Sequence, residues 1–137
     1  MKKTKIMAFG TFDGLHKGHL NFFKQARKLS ESPFLIVSVA RDKNVKRIKG
    51  KLPLYSEKER LHLVKNCPLV DRAVLSGVID HIPHITRERP DIVALGYDQK
   101  AYVKNLKKDL RKKGVSVRVF RLKPYKADIY KNNLLKK

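Results

Sequence analysis

Short β-prone apolar runs alternate with stretches of helical periodicity along this chain, and that alternation restricts the fold more than any other feature. Lys5–Phe9 is a compact apolar run closed by Gly10, and from Gly18 to Ser30 the residues His19, Phe22, Phe23, Ala26 and Leu29 recur at spacings of three and four. Phe34–Ala40 is nearly unbroken, as expected of a central strand covered on both faces. A lysine-rich stretch, RDKNVKRIKGKLPLY, follows and reads as a loop. Ser56 with Glu59 three residues on is a capping box, opening a helix through Leu61, Leu63 and Val64 that must stop near Pro68. Val70–Leu75 reads as a third strand, Ile79–Glu88 as a short helix and Asp91–Leu95 as a fourth strand. Ala101–Lys113 reads as a basic helix ended by Gly114, Val115–Leu122 as an edge strand, and Asp128–Leu135 as a last short helix. Strands interleaved with helices imply right-handed crossovers, so the expected fold is α/β, with a five-stranded mainly parallel sheet and helices on both faces. Ligands of such sheets bind beyond the carboxyl ends of the strands. Two polar clusters follow strand ends in this way, GTFDGLHKGH after the first strand and GYDQ after the fourth.

Residues 1–137 suffice for a single domain with one continuous core. The apolar runs fall far short of the roughly 20 residues that cross a bilayer, and the first ten residues lack the apolar region of a secretory leader. A cytoplasmic protein is expected. The lone Cys67, between Asn66 and Pro68, reads as an ordinary half-buried thiol. Lys and Arg number 33 against 12 Asp and Glu, a formal charge of +21. Such an excess favours phosphate-bearing or polyanionic partners and says nothing about fold. Nucleic acid stays among the candidate partners, behind a solvated basic surface.

GTFDGLHKGH admits three readings: a metal site, a tight turn with two core histidines, or an anion pocket. Gly10, Gly14 and Gly18 stand four apart, which is neither a dinucleotide fingerprint nor a Walker loop. His16 and His19 are three apart with Lys17 and Gly18 between, whereas helical zinc sites space histidines four apart around a glutamate. An anion pocket fits best. The glycines allow close backbone approach, the helix start attracts negative charge, and two imidazoles there can donate to phosphate oxygens.

The stretch Gly-Thr-Phe-Asp-x-x-His-x-Gly-His resembles the signature of the cytidylyltransferase-like nucleotidyltransferases, and the resemblance covers most of the chain. VARDKNVKRIKGK is similar to the family's basic loop, EKERLHLVKNCPLVDRAV to its Glu-x-x-Arg helix and next strand, and PDIVALGYDQ to its fourth-strand motif. The last of these, with Ala-Arg-Asp after the second strand, looks most like archaeal FAD synthases. The resemblance implies a Rossmann-like three-layer sandwich, and transfer of AMP from ATP to FMN with release of pyrophosphate. Alternatives are a cytidylyltransferase acting on glycerol 3-phosphate or a related alcohol phosphate, a pantetheine-phosphate adenylyltransferase-like enzyme, and a degenerate homologue that binds nucleic acid.

By the same resemblance, His16, His19, Lys46 and Arg60 are catalytic. Gly10, Thr11, Phe12, Lys17, Gly18, Gly96 and Asp98 join the two histidines around the nucleotide. Lys49 and Lys51 are further candidates for the phosphates. Mg2+ is expected on the nucleotide's phosphates, with no protein metal site, and relatives suggest a homodimer. The tail departs from the family: Asn132 and Asn133 stand where serine or threonine hydroxyls meet the triphosphate, and no cysteine pair follows.

Overall fold

In the computed structural model, which describes residues 2–77, 81–97, 99 and 105–124, the sheet is laid down in two sweeps from one starting strand. The chain forms β1 (Thr4–Gly10), α1 (Lys17–Arg27), β2 (Pro33–Val39), α2 (Asp42–Lys49), α3 (Glu57–Lys65) and β3 (Arg72–Leu75). It returns past β1 to form α4 (His81–Glu88), β4 (Ile92–Leu95), α5 (Leu106–Lys112) and β5 (Arg118–Arg121). The strand order is β3-β2-β1-β4-β5, and every adjacent pair is parallel. The expected α/β sheet is therefore present, with β5 at an edge. The reversal of strand order falls at β1, so the crevice beside β1 and β4 is where a ligand of such a sheet belongs.

Alternation along β1 divides the core. Ile6 and Ala8 face one side with Leu35, Val37 and Val39, packed under α1 and α3 through Phe23, Ala26 and Val64. Met7 and Phe9 face the other with Ile36, Val93 and Leu95, packed under α4 and α5 through Ile85, Leu106 and Leu110. The residues of β1, β2 and β4 are buried on both faces because helices cover both, which is why those strands read as continuous apolar runs, whereas the edge strands β3 and β5 are partly exposed. Cys67 belongs to the first cluster and is buried, more deeply than its sequence setting suggests.

One expectation fails. Half of the lysine-rich stretch, read as a loop, is the helix α2. Only Asn44 and Val45 on it are buried, so its apolar signal is too thin to register. Its helical logic is electrostatic and local: Asp42 in the first turn, Lys46, Arg47 and Lys49 in the last, and Gly50 as a left-handed C-cap at φ 82°. The other expected strands and helices up to β5 are present among the described residues, with ends that differ by a few residues. The proposed last helix, Asp128–Leu135, lies outside the described residues.

A buried polar pair ties α4 to β2. Ser38 Oγ and His84 Nε2 share a hydrogen bond of 2.8 Å inside the second core layer. Burial pushes the His84 imidazole down to about 4, helped by the positive fields of His81, Arg87 and Arg41. The unfolded chain therefore takes up a proton between pH 6.5 and about 4 that the folded chain refuses, and the stability His84 contributes above pH 6.5 is lost through that window. Thermal midpoints measured across it should fall with pH, and fall less steeply in His84→Gln, which keeps a partner for Ser38 without a titrating ring.

Candidate functional site

The turn after β1 is shaped by rings that need room. Phe12 takes a left-handed conformation, φ 54°, and buries its side chain against Phe23 and His19, with ring centroids 5.4 Å apart in each case. That backbone conformation costs a bulky residue on the order of 1–3 kcal/mol, offset here by the buried ring. A Cβ on Gly10 would stand 2.6 Å from the Phe12 ring, so only glycine fits there. Asp13 accepts hydrogen bonds from the Leu54 and Tyr55 amides at 2.7 and 2.8 Å, pinning the turn to the segment before α3.

His16 and His19 build the start of α1 between them. His16 is the N-cap, and its Nδ1 accepts the Gly18 amide at 2.9 Å. His19, three residues on, accepts the His16 amide through its own Nδ1 at 3.3 Å. This is a capping box made from imidazoles in place of a hydroxyl and a carboxylate. The rings stack with centroids 3.9 Å apart, and a Cβ on Gly18 would meet His16 Cε1 at 2.7 Å. Gly18 thus makes room for the His16 ring itself.

An amide can only donate, so each Nδ1 carries a lone pair and the ring proton sits on Nε2. Burial holds both imidazoles below their ordinary value, and His19, with the added field of His16, is lowered to about 4. At neutral pH the pair is therefore two neutral rings, each with an Nε2–H donor. Thr11 and the exposed Lys17 flank them, and Lys49 Nζ reaches Thr11 Oγ1 at 3.4 Å. Lys46, expected to be catalytic, is exposed on α2 one turn before Lys49, and it is Lys49 that touches the turn.

Arg60, expected to be catalytic, lies behind the turn. It is wholly buried. Its guanidinium donates to the Thr11 carbonyl at 2.8 Å, the Ala40 carbonyl at 2.7 Å, the Tyr55 carbonyl at 3.0 Å and Asp42 Oδ1 at 2.7 Å. Four separate stretches of chain around the site meet on one side chain, which makes Arg60 a positioning residue. Glu57 is bound to the Asp42 amide at 2.9 Å, while Asp42 Oδ2 accepts the Glu57 amide at 3.3 Å, so α2 and α3 cap one another.

Across the crevice, Gln99 and Arg121 hold the loop after β4. The Gln99 side chain accepts the Gly96 amide at 2.8 Å and donates to the Phe9 carbonyl at 2.7 Å, linking the ends of β4 and β1. Arg121 Nη1 donates to the carbonyls of Gly96 and Gln99 at 2.9 and 2.7 Å. Sequence reasoning gave neither residue a role; the only hint was the place of Gln99 in GYDQ. Asp98, Asn132 and Asn133 lie outside the described residues. Among the described residues, no three His, Cys, Asp or Glu side chains converge on a metal position, and both oxygens of Asp13, the carboxylate of the turn, are engaged by amides.

A parallel sheet whose reversal point is flanked by this double-histidine turn defines a nucleotide-binding α/β protein, and the comparisons name the family. The cytidylyltransferase-like family model matches residues 7–133, and the chain belongs to that family. More particularly, it is 46% identical over 121 residues to the FAD synthase of Aciduliprofundum boonei, spanning 88% of this chain and 79% of that protein. It is 36% identical to the FAD synthase of Thermoplasma volcanium, covering 97% of this chain and 92% of the relative. Among solved structures, the lipopolysaccharide core biosynthesis protein from Thermoplasma volcanium superposes with a TM-score of 0.82 at 38% identity, over 90% of this chain and 99% of that one.

Three outcomes test this geometry. In 15N spectra at neutral pH, both histidines should show protonated Nε2 and unprotonated Nδ1. Gly18→Ala should abolish that pattern for His16 while barely moving the thermal midpoint, because a lost cap of about 1 kcal/mol is balanced by the similar gain of alanine over glycine in a helix. Arg60→Lys, which cannot reach four acceptors at once, should destabilise the fold by about 3 kcal/mol in urea titrations; an unchanged midpoint would refute the positioning role.

Proposed function

We propose that the protein is an FMN adenylyltransferase, acting through residues 1–137 as one nucleotidyltransferase domain, with ATP and FMN as substrates and FAD and pyrophosphate as products. The stacked, Nε2-protonated histidine pair beside the β1–β4 crevice is the observation that carries the chemistry, and the FAD synthase relatives at 36% and 46% identity support the choice of substrates.

A phosphate oxygen of FMN attacks the α-phosphorus of ATP, the new O–P bond forms, and the bond to the bridging oxygen of the β-phosphate breaks to release pyrophosphate. Both reactants are anions, so catalysis consists of alignment and charge stabilisation. The turn suits that work. Two neutral donors fixed by main-chain amides need no reorganisation as charge grows on the transferring phosphoryl group. The first amides of α1 and the turn from Gly10 to Phe12 supply further donors for the α-phosphate, and Lys17 and Lys49 neutralise the phosphate tail. Gly96 and Asp98, in the loop after β4, are assigned to ribose and base, and Asn132 and Asn133 to the triphosphate. The engaged carboxylate of Asp13 favours an ion that arrives on the nucleotide over one caged by protein, so Mg2+ would be held by the ATP phosphates and supply charge neutralisation there. The exposed Leu52, Leu54, Tyr55 and Leu63 favour a homodimer as the assembly.

Purified protein incubated with FMN, ATP and Mg2+ should yield FAD and pyrophosphate. His16→Ala and His19→Ala should each lower kcat on the order of 10²–10³-fold, the size expected for a lost transition-state donor, with a much smaller effect on folding. Pyrophosphate released only from CTP with an alcohol phosphate would replace FMN and ATP as the substrates.

A further inference from the structure

The nucleotide site explains the positive charge at the carboxyl ends of the strands only. In a parallel sheet everything that precedes a strand lies at the opposite edge, about 20 Å away along the seven residues of β1. There a second cleft, of about 340 Å³, opens between the segments entering β1, β4 and β5. Its walls carry Lys2, Lys3, Lys5 and Arg89, and the Gly114–Ser116 stretch completes the lining. Asp91 is the acid of that lining, and its Oδ2 is taken by the Lys5 amide at 2.9 Å. Of the neighbouring acids, Asp71 pairs with Arg27 at 2.6 Å and also feels the field of Lys3, and Glu88 pairs with Arg72 at 3.5 Å, which leaves the cations of the lining in excess. The basic residues in the last turns of α1, α4 and α5 have a local task, offsetting the helix dipoles. Lys2 and Lys3 precede β1 and belong to no helix, so that task does not account for them.

We propose that this cleft binds the phosphodiester backbone of RNA, as an activity separate from nucleotidyl transfer. The concave shape and the unbalanced cations match a chain of phosphates. The lining offers no aromatic ring for bases to stack on, so recognition is by charge and indifferent to sequence. A membrane surface is the poorer match, since the described residues of the cleft present no exposed apolar anchor.

The test measures anisotropy of a fluorescent single-stranded RNA of about 20 nucleotides across a salt series, beginning near 50 mM. A variant carrying Lys2→Gln, Lys3→Gln and Arg89→Asn removes three charges; asparagine at position 89 tolerates the left-handed backbone, φ 50°, that Arg89 adopts. A control carrying Lys24→Gln, Lys58→Gln and Lys65→Gln removes the same charge from α1 and α3. The proposal expects the cleft variant to bind at least about tenfold more weakly, with the salt slope reduced by about 2, while the control binds nearly as wild type and FAD formation is unchanged in all three proteins. Equal loss in the control, displacement of the RNA by ATP, or binding to phosphatidylserine vesicles without binding to RNA would each overturn it.

Discussion

The architecture of the site converges on the buried guanidinium of Arg60. The turn after β1, the end of β2, the start of α2 and the segment before α3 have no helix or sheet in common, yet Thr11, Ala40, Asp42 and Tyr55 each give it an acceptor. A planar fork with five donors is the one side chain that can serve four acceptors in different directions, and its charge is retained on burial because Asp42 and three carbonyl dipoles replace the lost water. Lysine offers a point charge and would leave carbonyls unpaired. The turn that carries the histidines is thus fixed from behind by a residue that need not touch any ligand.

The same economy appears at the start of α1. Hydrogen bonds that begin the helix also settle which nitrogen of each imidazole keeps its proton, so local folding and chemical readiness rest on the same contacts. In an ordinary capping box a hydroxyl and a carboxylate fill these positions. A carboxylate here would place a negative charge where a phosphate must come, whereas two neutral rings cap the helix and leave the positive end of its dipole available. Gly10 and Gly18 serve this arrangement by yielding space to Phe12 and His16.

What the sequence disclosed follows from which signals are periodic. Strands buried on both faces are continuous apolar runs, and α1 and α3 carry clear periodicity or a capping pair, so the α/β class, the five strands and the place of the first turn were all legible. The helix α2 was not, because it buries just Asn44 and Val45 and is held by caps and charge. Arg60 was legible as a motif residue, but its four acceptors were not: no linear pattern shows which backbone segments the fold brings to one guanidinium. Gln99 and Arg121 were silent for the same reason, since the acceptors they bind at Phe9, Gly96 and Gln99 become neighbours only when β1, β4 and β5 lie side by side. Lys46 and Lys49 could not be ranked from sequence, because both belong to one face of a helix that was read as a loop.

The sheet also dictates how a charge of +21 can be tolerated. The C-termini of α1, α4 and α5, with their partial negative charge, point to the edge where the strands begin, and basic residues in their last turns gather there, whereas the last turn of α2 reaches the carboxyl edge through Lys49. The other edge collects the positive helix start that receives phosphate. A chain that needs cations at its catalytic mouth would minimise self-repulsion by keeping the far edge neutral, and this one places Lys2, Lys3, Lys5 and Arg89 there, in excess of Asp91 and the nearby Asp71. Like charges held at both ends of a small domain repel at any distance that salt does not screen. Across about 20 Å that repulsion is largely screened at physiological salt, so the sheet can hold both groups of cations, and its geometry allows two occupants to bind without meeting.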